Sequence, residues 1–388
     1  MTFFAKETQN FHQQPNPLHV GRVTLTNFRN YTDISLRFAD SPVILTGANG
    51  SGKTNFLEAI SLMVPGRGMK KTPLADLQKH GAHDPWAVAV ELQTALGELH
   101  MGTGRDPADP TSDKRIVHID GKAARSQNAM GEHVAMAWIT PDMDRILAEG
   151  ASARRKFLDR LVYSFDPAHS GRVTRYEKAM RERLRILREG PRDSTWLGAL
   201  EDEMAQSGVA IAAARRHLLQ QLRFGIEETS SAFPLADIGV NGLAEDALES
   251  NPALPVEDML RAALHRGRED DAQSGATSAG PHRSDLLVMH RAKNCPADLC
   301  STGEQKALLI AIMLAYVRTL MRHRQLMPIF LLDDIAAHLD DTRRSALFEE
   351  IVTLGVQAWL TGTEEEAFSS LLPFAQHFDV EQGNLSEK

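Results

Sequence analysis

Gly47-Ala48-Asn49-Gly50-Ser51-Gly52-Lys53-Thr54 fits the phosphate-loop pattern G-x-x-x-x-G-K-[ST] at every position. It follows the apolar run Pro42-Val43-Ile44-Leu45, which reads as a short buried strand. It precedes Phe56, Leu57, Ile60 and Met63, which recur at helical spacing. Strand, loop and helix therefore occur in the order the pattern requires. The glycines let backbone N–H groups turn inward around phosphate oxygens, and the following helix points its positive end at them. Lys53 is the group expected to reach the β- and γ-phosphates, and the Thr54 hydroxyl the group expected to hold Mg²⁺. The competing reading, a glycine-rich strand–helix turn that binds nothing, is disfavoured because strand, full motif and helix stand in order.

Outward from this loop, Val23, Leu25, Phe28, Ile34, Leu36 and Phe38 mostly alternate with polar residues, predicting two strands around a turn at Asn30-Tyr31. Further strands are expected at 87–92 and 115–119, with a Pro-containing loop at 106–113 between them. From 153 the texture becomes helical. Two long helices are predicted at 153–189 and 197–228, broken at Gly190-Pro191, and a third at about 256–270. The run 269–280, rich in Asp, Ser, Gly and Ala, reads as a loop or hinge. Strand-like sequence resumes at 286–289, a helix follows at 303–322, and a fully apolar strand at 329–332. The expected organisation is an α/β domain in two halves, 19–152 and 280–388, with a helical domain inserted at 153–279 and a polar tail at 1–18.

The chain has 388 residues, 43 basic and 51 acidic side chains and a net charge of −8, a balance that by itself argues against a nucleic-acid partner. Its two cysteines, Cys295 and Cys300, form no disulfide framework and suit a reducing compartment. No apolar run reaches the length of a membrane span, and the polar start lacks the apolar stretch of a secretory signal. The expectation is a cytoplasmic protein without a membrane partner.

The C-terminal half narrows the chemistry. Ile329-Phe330-Leu331-Leu332-Asp333-Asp334 has the form of a Walker B strand. Asp333 is expected to hold Mg²⁺, and Asp334 to orient and deprotonate the attacking water. Upstream, Ser301-Thr302-Gly303-Glu304-Gln305 opens a helix and resembles the S-x-G-x-Q signature of ABC-type ATPases; read blandly, it is a helix N-cap. After the Walker B strand, Ala337-His338-Leu339-Asp340 resembles the D-loop of the same enzymes.

Over nearly the whole chain the sequence resembles the RecF family of bacterial recombination mediators. The resemblance is carried by Leu25-Thr26-Asn27-Phe28-Arg29-Asn30-Tyr31, by the phosphate loop continuing through Asn55 into Leu57-Glu58-Ala59-Ile60, and by Thr140-Pro141-Asp142. It continues in Arg154-Arg155-Lys156-Phe157-Leu158-Asp159-Arg160, Gly280-Pro281-His282-Arg283 and the signature region. It implies an ABC/SMC-type ATPase head that binds ATP and Mg²⁺ between two head-to-tail subunits. Gly47 to Asn55, with Arg29 and Asn30, would surround the nucleotide. Ser301, Gly303 and Asp340 would complete the site from the partner copy. The family acts on double-stranded and gapped DNA, with RecR and RecO as partners, and promotes RecA loading. This sequence departs from the family and its ABC relatives in Cys300, where the signature more often has Leu, in the lack of a switch His near Thr361-Gly362-Thr363 and of a Gln near Pro141-Asp142, and in Ser284 before Asp285. The departures imply slow, DNA-stimulated hydrolysis.

Charge distribution reopens the question of DNA. Between 154 and 192 stand twelve Arg or Lys against five Asp or Glu, a local +7 that leaves −15 for the rest. Lys178, Arg181, Arg185, Arg188 and Arg192 advance by three or four and form one helical stripe, apart from the apolar Val173, Tyr176, Met180, Leu184 and Leu187. Without interleaved aromatics, contacts to the DNA backbone are expected. The rival readings are an ABC transporter ATPase subunit, against which the 254 positions from Gly47 to Ser301 argue, and a structural SMC-like protein, for which no heptad arm is present.

Overall fold

The computed structural model describes residues 15–109, 112, 114–190, 193–229, 232–336 and 339–388. Its first half contains β1 (Leu18–Phe28), β2 (Tyr31–Arg37), β3 (Val43–Thr46), α1 (Lys53–Ser61), β4 (Ala87–Thr94), β5 (Gly97–Arg105), β6 (Arg115–Ile119) and β7 (Lys122–Ala123). Next come α2 (Met130–His133), β8 (Met136–Ile139), α3 (Ala151–Phe165), α4 (His169–Glu189), α5 (Ser194–Glu227), β9 (Ala236–Asn241), α6 (Leu243–Ala247), α7 (Ala253–Arg266) and α8 (Arg268–Ser274). The remainder is β10 (Asp285–His290), β11 (Cys295–Pro296), α9 (Thr302–Arg324), β12 (Ile329–Leu332), α10 (Asp341–Leu354), β13 (Ala358–Gly362), β14 (Gln376–Glu381) and β15 (Asn384–Glu387).

Two six-stranded sheets carry the α/β part. One is antiparallel, in the order β2-β1-β4-β5-β6-β7. Its strand β1 buries Leu18, Val20, Val23, Leu25 and Phe28, and the step from Val20 to Val23 breaks the two-residue period. A register shift between Val20 and Arg22 absorbs the extra residue and keeps Leu18, Val20, Val23 and Leu25 on the core face; a second three-residue step, from Leu25 to Phe28, passes through Asn27 in a left-handed conformation (φ 49). The other sheet runs β15-β14-β3-β13-β12-β8, parallel except for the edge strand β15. Its strands β3, β8, β12 and β13 are buried along their whole length, as parallel strands covered on both faces must be. The helix α9 is buried nearly all round, from Gln305 to Leu320, and shares the core of these sheets with α1.

The helical layer differs from the sequence expectation at three places. The long helix predicted at 153–189 is two helices, α3 and α4, because Asp166-Pro167 cannot continue the backbone ladder. The helix predicted to about 270 stops at Arg266, and the stretch read as a loop from 269 opens with α8, which ends at Gly275 in a left-handed conformation (φ 70). The block expected to be helical also contains β9, which pairs antiparallel with β10. Strands β5, β8, β13, β14 and β15 add to those expected. The 34-residue α5, about 50 Å long, ties the layers together. Its C-terminal half (Leu218, Leu222, Ile226) belongs to the main core, and its N-terminal half (Met204, Val209, Ala212) to a second core with α4, α6 and α7. Among the described residues no helix is long and apolar enough to cross a membrane.

Candidate nucleotide site

Parallel pairing assembles the site from segments far apart in sequence. In the order β3, β13, β12, β8 the registers Thr361↔Leu45, Leu332↔Leu360 and Leu332↔Ile139 align the C-terminal ends of the four strands. Gly47 follows β3, Thr361 lies on β13, Asp333 and Asp334 follow β12, and Thr140 follows β8. Ligands of open parallel sheets bind at this edge. The cavity there, about 370 Å³, is lined by Asn49, Gly50, Gly52, Lys53, Thr54, Asn55, Lys70, Thr140, Pro141, Asp142, Asp333, Asp334 and Thr361.

Two of the loop's glycines are sterically required. A Cβ at Gly47 (φ 143) would stand 2.3 Å from the Val380 carbonyl oxygen, and one at Gly52 (φ 125) 2.4 Å from Asn30 Nδ2. Lys53 folds back over the loop, and its Nζ donates to the carbonyls of Gly47 (2.6 Å) and Ala48 (2.8 Å). Burial lowers the Lys53 pKa, while Asp334, Asp333 and Asp379 act in the opposite direction. Thr54 Oγ1 and Thr361 Oγ1 each donate to Asp333 Oδ1 at 2.8 Å, and Thr361 Oγ1 in turn accepts the Asp334 N–H at 2.8 Å. Thr54 and Asp333 thus present hard oxygen donors side by side, the ligand chemistry of Mg²⁺.

Burial pushes the Asp333 carboxyl above the usual carboxylate range, against the pull of the two hydroxyls. Because the folded value is raised, the contribution of this group to stability grows as pH falls through it, and the charge is a burden at neutral pH. An Asp333→Asn variant keeps an oxygen acceptor for both hydroxyls and removes that charge. The expected result is a higher melting temperature without nucleotide, together with weaker Mg²⁺-dependent nucleotide binding. Thermal melts with and without Mg²⁺-nucleotide measure both, and a lower melting temperature for the unliganded variant would refute the burial argument.

Arg29 and Asn30, expected at the nucleotide, do not line the cavity; they hold its walls. Arg29 grips the fully buried Glu58 of α1 through Nε (2.8 Å) and Nη2 (3.1 Å), and donates to Thr72 and the Asp76 carbonyl. Asn30 donates to the Ser51 carbonyl (3.1 Å) and accepts from Asn55 Nδ2 (2.8 Å). Tyr31 Oη donates to the Gly52 carbonyl at 3.0 Å, and the Gly383 N–H to the Ser51 carbonyl at 3.1 Å. The β1–β2 turn and the β14–β15 turn therefore clamp the phosphate loop from two sides. Thr361, from the stretch that lacks a switch His, lines the cavity, and so does Lys70, which stands in no recognised motif. Lys70 belongs to the basic, glycine-bearing run Gly66-Arg67-Gly68-Met69-Lys70-Lys71, which was the available sequence signal.

The remaining expected groups lie elsewhere. Ser301 and Gly303 are exposed at the start of α9, outside the cavity of their own chain. The Ser301 N–H donates to Glu304 Oε2 at 3.0 Å, the arrangement of an N-cap, and the Lys293 ammonium holds the Glu304 carboxyl down at about 2. Asp340 is exposed and caps α10 through the Arg343 N–H (2.9 Å); Ala337, His338 and Arg192 lie outside the described residues, as does most of the tail at 1–18. Lys178, Arg181, Arg185 and Arg188 are exposed on α4, with Arg181 facing Glu177 (3.6 Å) and Arg185 facing Glu182 (2.6 Å).

Comparison with known proteins gives concordant results. The RecF/RecN/SMC N terminal domain family matches residues 19–384. A DNA replication and repair protein RecF from Mesorhizobium japonicum is 46% identical over 373 residues, covering 96% of this chain and 98% of the relative. The RecF of Brucella suis biovar 1 is 43% identical over 377 residues, covering 96% and 97%. Among solved structures, that of the recombination mediator protein RecF-ATP in the RecFOR pathway superposes with a TM-score of 0.84 at 22% identity, covering 98% of this chain and all of the other. An Smc head domain derived from Pyrococcus furiosus superposes at 0.52 with 14% identity over 96% of each chain, so the fold is that of the RecF and SMC heads. A match of this extent leaves one conclusion: the chain belongs to the RecF family of DNA replication and repair proteins.

Proposed function

We propose that the chain is an ATP-gated DNA clamp of recombinational repair, a slow ATPase whose hydrolysis serves as a switch. The observation that carries this reading is the cavity itself, where Lys53, Thr54, Asp333, Asp334 and Thr361 converge from three strand ends. Lys53 exchanges its carbonyl partners for phosphate oxygens. Thr54 and Asp333 are the residues to hold Mg²⁺, which when bound neutralises phosphate charge. Asp334 takes the proton of the attacking water. Backbone N–H groups from Gly47 to Asn55 cradle the phosphates, and Arg29 and Asn30 keep that loop in shape.

Ser301, Gly303 and Asp340 act on the nucleotide of a second copy. A Cβ at Gly303 would meet nothing within 4 Å in its own chain, although glycine in a helix costs about 0.5–1 kcal/mol relative to alanine. The closely approaching surface that such a glycine suits is therefore sought in the partner copy. DNA, double-stranded or gapped, lies against basic surfaces brought together by dimerisation, with the exposed α4 stripe as one of them. RecR, with RecO, and indirectly RecA, are the protein partners, and the cytoplasm is the compartment. The helical unit at 153–279 is the insertion that separates the two ATPase halves.

Sedimentation with and without ATP and gapped DNA tests the reading. Wild type should dimerise with ATP. Lys53→Ala should lose nucleotide binding and dimerisation together. Ser301→Ala should keep nucleotide binding and lose the dimer; loss of both in Ser301→Ala would remove its assignment in trans, and ATP-independent DNA binding by wild type would remove the gate.

A further inference from the structure

Next to the nucleotide cavity, and sharing Lys70, Thr140 and Asp142 with it, lies a second open groove of about 410 Å³. Four cations line it: Lys70 and Lys71 from the run after α1, and Lys156 and Arg160 from one face of α3, a single helical turn apart. Of the residues lining the groove, Asp142 and Glu149 bring the carboxylates, while Lys70 also acts on Asp333 across the nucleotide cavity.

The groove concentrates unpaired cations, whereas most of the other described cations of the basic segment are paired; Arg155, Lys178 and Arg188 are the exceptions among the described residues. Arg154, Arg172, Arg175, Arg181, Arg183 and Arg185 all pair with carboxylates of their own chain. Among the described residues, Lys70, Lys71, Lys156 and Arg160 have no carboxylate within ion-pair distance. Arg160 is held by a thioether and two aromatic faces: its Nη2 is 3.2 Å from Met143 Sδ, and its guanidinium stands 5.1 Å from the Trp138 ring and 5.3 Å from the Phe157 ring. Burial lowers its pKa to about 10. Lys71 is lowered as well, first by burial and then by repulsion from Arg160 and Lys156, with Glu149 opposing. A fixed guanidinium and crowded ammonium groups with too few counter-charges form a site that an oxyanion relieves.

We propose that this groove is a second phosphate site, which holds a phosphodiester of the DNA backbone beside the nucleotide cavity. The assignment rests on the reading of the chain as an ATP-dependent DNA-binding protein. It identifies Lys71, Lys156 and Arg160 as principal backbone contacts ahead of the stripe on α4, where Arg181 and Arg185 already pair with Glu177 and Glu182. The groove is open, which a duplex requires, and Phe157 lies beneath Arg160 rather than free for a base, so the contact is indifferent to sequence. Because Lys70, Thr140 and Asp142 face both cavities, occupancy of one by phosphate bears on the other, and the coupling is reciprocal.

The test is fluorescence anisotropy of a gapped duplex with the full chain and ATP, over a range of salt concentrations. Each neutralised phosphate contributes about 0.9 to the slope of log K against log salt, so Lys71→Gln/Lys156→Gln should flatten the slope by about 1.8 and weaken binding roughly sixty-fold at 0.1 M salt. Nucleotide affinity should stay at the wild-type value, and the melting temperature should not fall, because the substitutions relieve repulsion among like charges. Glu149→Gln, which removes a competing anion, should tighten DNA binding. An unchanged slope and affinity in the double variant overturns the proposal. Inorganic phosphate, titrated at constant ionic strength, covers the other source of the same chemistry: if it binds wild type and not the double variant while DNA affinity is equal in the two, the groove takes free phosphate and the DNA assignment falls. Wild-type DNA binding that ignores ATP overturns the clamp reading alone, because the groove is judged by the difference between wild type and variant at one nucleotide state.

Discussion

Asp334→Asn should leave nucleotide binding and ATP-dependent dimerisation intact and slow hydrolysis by about 10²–10⁴-fold, the usual contribution of a positioned general base. The substitution isolates the chemistry because of the backbone at this position. Asp334 has φ 50, in the left-handed region that non-glycine residues seldom adopt, and Asn is among the side chains that tolerate it best. Its N–H donates to Thr361 Oγ1, which donates to Asp333 Oδ1, so a main-chain contact shared with the metal-binding carboxylate fixes its place, and Asn preserves that contact. Loss of the carboxylate is then the sole change at the cavity edge. Single-turnover hydrolysis measures the rate and sedimentation the dimer. The variant should accumulate as an ATP-held dimer that does not open on the wild-type timescale. Wild-type turnover by Asp334→Asn would show that another group accepts the proton, and a monomeric variant would show that Asp334 acts in closure rather than in chemistry.

The parts of this site visible in the sequence were those in which chemistry and position are local. Gly47 to Thr54 and Ile329 to Asp334 each combine an element and its functional groups within eight residues, so pattern and spacing sufficed. Thr361 and Thr140 are visible only as stretches of the family resemblance, since it is the strand order β3-β13-β12-β8 that brings them to the cavity; Lys70 reaches it because the chain after α1 turns back, and that leaves no mark on a single sequence. Strand β5 was obscured for a different reason. Its Gly97, Gly102 and Gly104 read as turn residues, yet at Gly104 a Cβ would come within 2.8 Å of the Trp86 carbonyl oxygen, so there the glycine records close strand approach. Pro167 is a legible helix stop, and the chain breaks there between α3 and α4. The basic count from 154 to 192 overstates the free positive charge, since half of the twelve cations pair with carboxylates of the same chain. Arg183, one of the twelve, is in the interior.

Arg183→Met should destabilise the helical layer strongly, by about 3–5 kcal/mol. Arg183 is fully buried on α4, where its Nε donates to Glu201 Oε1 (2.9 Å), its Nη1 to Asp271 Oδ2 (2.6 Å) and its Nη2 to the Leu264 carbonyl (2.7 Å). One guanidinium thereby joins α4, α5, α7 and α8. The two carboxylates are not equally dependent on it. Glu201 keeps two bonds from Arg268, at 2.9 and 2.6 Å, whereas Asp271, also fully buried, is left with the Ser278 N–H at 2.9 Å. The cost of removing Arg183 thus comes chiefly from an uncompensated carboxylate at Asp271, and lost packing is secondary because Met fills much of the same volume. Arg183→Met/Asp271→Asn should therefore recover most of the loss, since the amide stays an acceptor for Ser278 without the charge. Urea denaturation followed by tryptophan fluorescence, with Trp196 on α5 as the reporter nearest this layer, compares the two variants. If the double variant is no more stable than Arg183→Met, the guanidinium acts through its packing and its bond to Leu264, and the buried charge balance is not what holds α8 against α4.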